Sequence, residues 1–176
     1  MMLKQIGLLA GIGLFLLGCA GEQPLQSHQA IEPHESTAVS EVVAAYDAVR
    51  SRLANEETDT LVATFDRLGS AALEASSRNG ISELARSHLR MLADAARKGV
   101  EAGDADLDGA REAFGEVSKS LVAAVASDQD LAHGLYIFEC PMTGGYPKWV
   151  QTSDAKANPY MGKDMQSCGV ESQWSE

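Results

Sequence analysis

From Thr37 to Asp128, apolar side chains recur every three or four residues, and the run is interrupted only at NEETD, SSRNG and EAGD. That period belongs to the amphipathic helix; a half-buried strand alternates every second residue instead. Val39, Val42, Val43, Tyr46, Val49 and Leu53 make a first stripe. After NEETD, where Thr58 or Asp59 can cap, a second stripe runs through Leu61, Phe65, Leu68 and Ala72. A third is expected from Ile81 through Leu84, His88, Leu92 and Ala95, and a fourth follows through Leu107, Ala110, Phe114, Val117, Leu121 and Val125. Four helices of about 20 residues joined by short links predict an all-α, up-down four-helix bundle over residues 37–128. Its alanine-rich faces allow close helix packing.

Two motifs inside this region have simpler readings than the sites they imitate. DADLDG at 104–109 opens like a calcium loop, but the twelfth position, which must be a bidentate Glu, is Gly115. Acidic residues at a helix N-terminus explain it better. His88 lies at the border of the third stripe with no second ligand at i+4, and so reads as a boundary residue. The chain shows no nucleophile–base pair, no Gly-rich phosphate loop and no paired carboxylates in an apolar setting, so nothing argues for an enzyme.

The beginning of the chain indicates a compartment. MMLKQIGLLAGIGLFLLGCA carries one Lys, an apolar run too short to span a bilayer comfortably, and then Leu16-Leu17-Gly18-Cys19. Residues 1–18 are expected to be a secretory signal ending in a lipobox, with Cys19 as the lipid anchor. Ala20, where an Asp would resemble a retention signal, points to the outer membrane, with the protein facing the periplasm. Residues 19–36, with two of the five prolines and no apolar period, read as a tether in which His28 and His34 are solvated.

Charge narrows the partners. The chain has 14 basic and 25 acidic residues, and loss of residues 1–18 would remove Lys4 alone. Such an acidic surface excludes nucleic acid as a partner.

The chemistry concentrates in residues 129–176, where the composition changes. LYIFECPMTGGYPKWVQ and NPYMGKDMQSCG contain Cys140, Cys168, Met142, Met161 and Met165. Too short for its own core, this segment is expected to be an irregular cap on the bundle, with Tyr136, Phe138, Trp149 and Tyr160 as packing contacts. TGGYP reads as a turn and Trp149-Val150-Gln151 as a short strand or extended segment. If residues 158–169 are helical, Met161, Met165 and Cys168 stack along one face.

Cys140-Pro141-Met142, Trp149-Val150-Gln151 and Asn158-Pro159-Tyr160 with Gly162, Met165, Cys168 and Gly169 together resemble the C-terminal signature of a bacterial family of exported domains of unknown function. That family also occurs fused to CusB-type periplasmic adaptor subunits of heavy-metal efflux systems for copper and silver. Ala110-Arg111, Phe114 and Ser118 resemble its last helix. Met161 departs from the pattern, since the family usually has an aromatic residue there. Cys-Pro-Met after an aromatic also resembles a short heavy-metal-binding motif whose second half is absent here.

Thiolate and thioether are soft ligands suited to Cu(I) or Ag(I), and Cys140, Met142, Met165 and Cys168 supply two of each. In an oxidising compartment the same two cysteines can instead form a disulfide, closing a loop of about 28 residues and stabilising by roughly 3–4 kcal/mol. With the cysteines oxidised, Met142, Met161 and Met165 still offer a three-thioether site; otherwise they pack on Trp149 and Tyr160. Two functions follow. One is a lipoprotein that binds copper or a similar soft ion as an accessory to heavy-metal efflux or tolerance, working with efflux components. The other is an interaction module whose stapled cap is purely structural and whose partner is an envelope protein.

Overall fold

The computed structural model describes residues 33–174, apart from the side chains of residues 33–38 and 130. The expected signal, Cys19 and His28 lie outside the described residues, and so does the side chain of His34. Helix accounts for 59% of the interpretable chain, in four segments: α1 (Pro33–Ala54), α2 (Leu61–Ser76), α3 (Glu83–Ala102) and α4 (Leu107–Ser127). Helix α1 begins at Pro33, four residues before the expected start of the bundle at Thr37; proline suits a first helical position because its missing N–H has no partner there anyway.

The stripes on α1, α2 and α4 are those the period predicts. Val42, Tyr46, Val49 and Leu53 are buried on α1, Leu61, Phe65, Leu68 and Ala72 on α2, and Ala110, Phe114, Val117, Leu121 and Val125 on α4. Helix α3 is rotated from expectation. Leu92 and Ala95 are buried as expected, but Ala85, Leu89, Ala96 and Gly99 are buried with them, while Leu84 is 60% exposed and His88 sits at the border. Close approach of α2 is the reason: a Cβ on Gly99 would lie 2.5 Å from the Phe65 ring, and one on Gly69 would touch Ala96 at 3.6 Å. Small residues therefore form the seam, and the larger Leu84 is turned outward.

Helix ends are closed by side chains from near and far. Ser82 caps α3 by accepting from Ala85 N–H at 3.1 Å, and Asp106 caps α4 by accepting from Gly109 N–H at 2.9 Å. At α2 the N-cap is Thr60, in the left-handed region at φ 66°, and neither Thr58 nor Asp59 caps as expected. The acceptor comes instead from Asp104, whose Oδ1 takes Val62 N–H at 2.8 Å. The acidic run that imitates a calcium loop thus caps two helices. Asp104→Ala should cost about 1 kcal/mol, seen as a fall of roughly 2–5 °C in Tm; an unchanged melting curve would show this remote cap to be idle.

Beyond α4, a 3-10 turn at Gln129–Ala132 leads into strands β1 (Tyr136–Glu139), β2 (Lys148–Gln151) and β3 (Val170–Glu171). They form an antiparallel sheet in the order β2-β1-β3, with Phe138 opposite Trp149 and Glu139 opposite both Lys148 and Val170. The expectation of an all-α chain with an irregular cap is corrected here: the Trp149 segment is a strand, as one reading had it, and it has partners. Strands of four and two residues are too short for a period to show, while their aromatic and β-branched residues suit a pleated surface.

Helices pack in succession, α1 on α2, α2 on α3 and α3 on α4, while α1 and α4 meet only sparsely and β2 lies against α4 at that seam. Trp149 and Val150 are consecutive and both fully buried, so β2 is covered on both faces. The sheet therefore completes one continuous core with the helices instead of resting on a finished one.

Candidate functional site

The C-terminal segment is held by polar side chains that sequence periodicity cannot detect. At the α1–α4 seam the Tyr46 hydroxyl lies 2.7 Å from the Ser118 hydroxyl and accepts Val150 N–H at 3.1 Å, tying α1, α4 and β2 at one buried point. Burial is the main cause that drives the Tyr46 phenol far above its ordinary range, and the same cause raises Tyr160. Both phenols remain protonated. Tyr160 donates to the Lys148 carbonyl at 2.7 Å.

The chain between β2 and β3 turns around two buried amides. Gln151 Oε1 accepts from Trp149 Nε1 at 2.9 Å and from Ala157 N–H at 3.2 Å, while its Nε2 donates to the carbonyls of Ser153 and Ala155. Asn158 Oδ1 accepts Tyr160 N–H at 2.8 Å and Met161 N–H at 3.3 Å, and its Nδ2 donates to the Cys168 carbonyl at 2.8 Å. Two arginines bolt this loop to the helices: Arg50 Nη1 donates to the Ala157 carbonyl at 2.9 Å and Arg111 Nε to the Pro159 carbonyl at 3.2 Å. Gln166 Nε2 adds a bond to the Ala54 carbonyl at the end of α1. These five polar residues are fasteners. Arg50 and Gln166 went unnoticed in the sequence, and Tyr46 was read only as part of an apolar stripe, because a single polar group gives no sign of a distant partner.

Aromatic packing follows the same seam. Ring centroids run from Tyr46 to Phe114 at 4.9 Å, Phe114 to Tyr160 at 6.0 Å, Tyr160 to Trp149 at 6.3 Å and Trp149 to Phe138 at 5.5 Å. Trp149, Phe138 and Tyr160 are packing contacts as expected; Tyr136, at the start of β1, is 41% exposed and stacks on Phe138 at 6.5 Å between ring centroids.

Within this frame the sulfurs occupy different depths. Cys140 is fully buried where β1 ends, and its backbone N–H closes the hairpin onto the Pro147 carbonyl at 2.9 Å. Met142, two residues on, is 55% exposed in the hairpin loop. Residues 158–169 are not a helix: only a 3-10 turn forms, at Lys163–Met165, because Pro159 and the Asn158 turn break the start and Gly169, at φ 135°, breaks the end. The expected stacking of Met161, Met165 and Cys168 along a helical face is therefore absent. Met161 packs partly buried against the core, Met165 is 43% exposed, and Cys168 is half-buried, its N–H on the Met165 carbonyl at 3.0 Å.

What the sheet does bring together is the two cysteine segments. Because Glu139 pairs with Val170, Cys140 follows that rung on one strand and Cys168 precedes it by two residues on the other. Both cysteines are free thiols in the structure. Among the described residues no three His, Cys, Asp or Glu side chains converge; the further sulfurs of this segment are the thioethers of Met142, Met161 and Met165. That donor chemistry suits a soft monovalent ion and not a hard one.

No protein-family model, curated protein or solved structure matches this chain.

Proposed function

We propose that the protein is a periplasm-facing lipoprotein of the outer membrane, anchored through Cys19, whose up-down four-helix bundle carries a soft-metal site for Cu(I) or Ag(I) in its C-terminal cap. The role is binding without catalysis, as an accessory to heavy-metal efflux or tolerance. The observation that supports this most is the β1–β3 pairing, whose Glu139–Val170 rung brings the segments carrying Cys140 and Cys168 to the same end of the sheet, while the Asn158 and Gln151 amides nearby are occupied in hydrogen bonds. Cys140 and Cys168 would hold the ion, with Met165 from the adjoining 3-10 turn and Met142 from the hairpin loop as thioether donors; Met161, already packed on the core, is the reserve ligand. The bound ion would be cargo, and the chain's contribution is to present sulfur and exclude harder cations.

Competition for Cu(I) against a chelator tests the reading. The reduced protein should bind about one ion, the ion should protect both cysteines from alkylation, and Met142→Leu with Met165→Leu should weaken binding without unfolding, since that swap nearly conserves volume. Oxidation should weaken binding if thiolates carry it and leave it intact if thioethers do. Absence of a saturable site in both redox states would sink the proposal and favour the structural interaction module.

A further inference from the structure

A second region of the molecule has the form of a small-molecule site and shares no lining residue with the cysteine and methionine cluster. Between α1, the α2–α3 link, residues 128–135 and Thr152 lies a half-open cavity of about 690 Å³. That size is within the several-hundred-Å³ range of ligand sites. Four separate chain segments make its walls, so it is a bowl and not a groove along one helix. Val43, Ile81 and Leu135 give it an apolar lining.

Its charged groups are one-sided. Asp47, Asp128 and His133 border the cavity, and neither Lys nor Arg does. Asp47 is already paired with Arg50 Nε at 2.7 Å. Asp128 differs: it is half-buried at the end of α4, its side chain caps nothing in the following turn, and no ion pair or hydrogen bond engages its carboxylate among the described residues. A half-buried carboxylate at the edge of an apolar bowl is best satisfied by a cation that brings its own apolar body.

We propose that this cavity binds a hydrophobic amine, its apolar part against Val43, Ile81 and Leu135 and its ammonium on Asp128. The inference is independent of the soft-metal reading.

Three probes with one apolar body and different heads separate the contributions: 4-phenylbutylamine, 4-phenylbutanol and 4-phenylbutyrate. Each is titrated calorimetrically into the whole chain in zwitterionic nanodiscs, with empty nanodiscs as blank. The amine should bind saturably at one site, at least tenfold more tightly than the alcohol, with the carboxylate weakest. Asp128→Asn, a change of nearly equal size, should abolish the amine's advantage while alcohol binding persists. Leu135→Trp should fill the bowl and weaken all three, with the circular dichroism spectrum unchanged. Equal affinities for the three heads, or an amine preference that survives Asp128→Asn, would overturn the proposal; so would unaltered amine binding by a folded Leu135→Trp variant.

Discussion

Trp149→Ala should lower stability by about 3–5 kcal/mol, the range for deleting a large buried aromatic whose cavity cannot collapse. For a domain of this size that is roughly 10–20 °C in Tm, read by far-ultraviolet circular dichroism. Trp149 is fully buried in β2, packs on Phe138 and Tyr160, and gives its indole N–H to Gln151. Removing it empties the space between sheet and loop and takes one partner from a buried amide. Because β2 fills the sparse α1–α4 seam, the loss should appear in the helical signal itself and not only in the C-terminal segment. A fall of under about 1 kcal/mol would mean that the cap rests on a bundle complete without it, against the core described above.

Asn158→Ala should act more locally. One buried side chain joins the backbone of residues 160, 161 and 168, and its own N–H reaches the Gln166 carbonyl at 2.8 Å. Alanine keeps the last bond and loses the other three, leaving two N–H groups and a carbonyl without partners, at a cost of about 2–4 kcal/mol where burial persists. The loop can escape that cost by opening. The expected result is a rise of at least tenfold in the alkylation rate of Cys168, with helix content retained at 25 °C. If Cu(I) binds at the cap, its affinity should fall in the same variant although no sulfur has been removed. Unchanged alkylation kinetics would show that Arg50, Arg111 and Gln166 hold the loop without Asn158.

The helical region was legible because its signal is repeated: Val42, Tyr46, Val49 and Leu53 fall on one face by spacing alone, and the burial of α2 and α4 follows the same rule. The one misphased helix shows the limit of that rule. Periodicity weighs Leu84 above Ala85, yet close packing of α2 on α3, forced by Phe65 against Gly99, rewards the smaller side chain. Capping divided similarly. Ser82 and Asp106 cap locally, whereas Thr58 and Asp59 lost to Asp104, which lies far off in sequence and returns to the same end through the α3–α4 link.

In the C-terminal segment the sequence by itself determined composition and therefore chemistry: two thiols and three thioethers among aromatic residues, with one extended stretch at Trp149. Only the tertiary structure decided that this stretch pairs into a sheet, that the sheet closes the α1–α4 seam, and that Asn158 and Gln151 spend their amides on backbone groups. The helical spacing of Met161, Met165 and Cys168 proved uninformative because one buried asparagine and a proline set the local backbone before any amphipathic face could. The physical reason is the range of the forces involved. Helical periodicity, turn residues and local caps arise between neighbours a few positions apart, so a single sequence displays them. Strand pairing, remote caps and buried polar joints depend on groups much farther apart, Phe138 with Glu171, Val62 with Asp104, and Tyr46 with Ser118 and Val150, and only closure of the whole core brings those together.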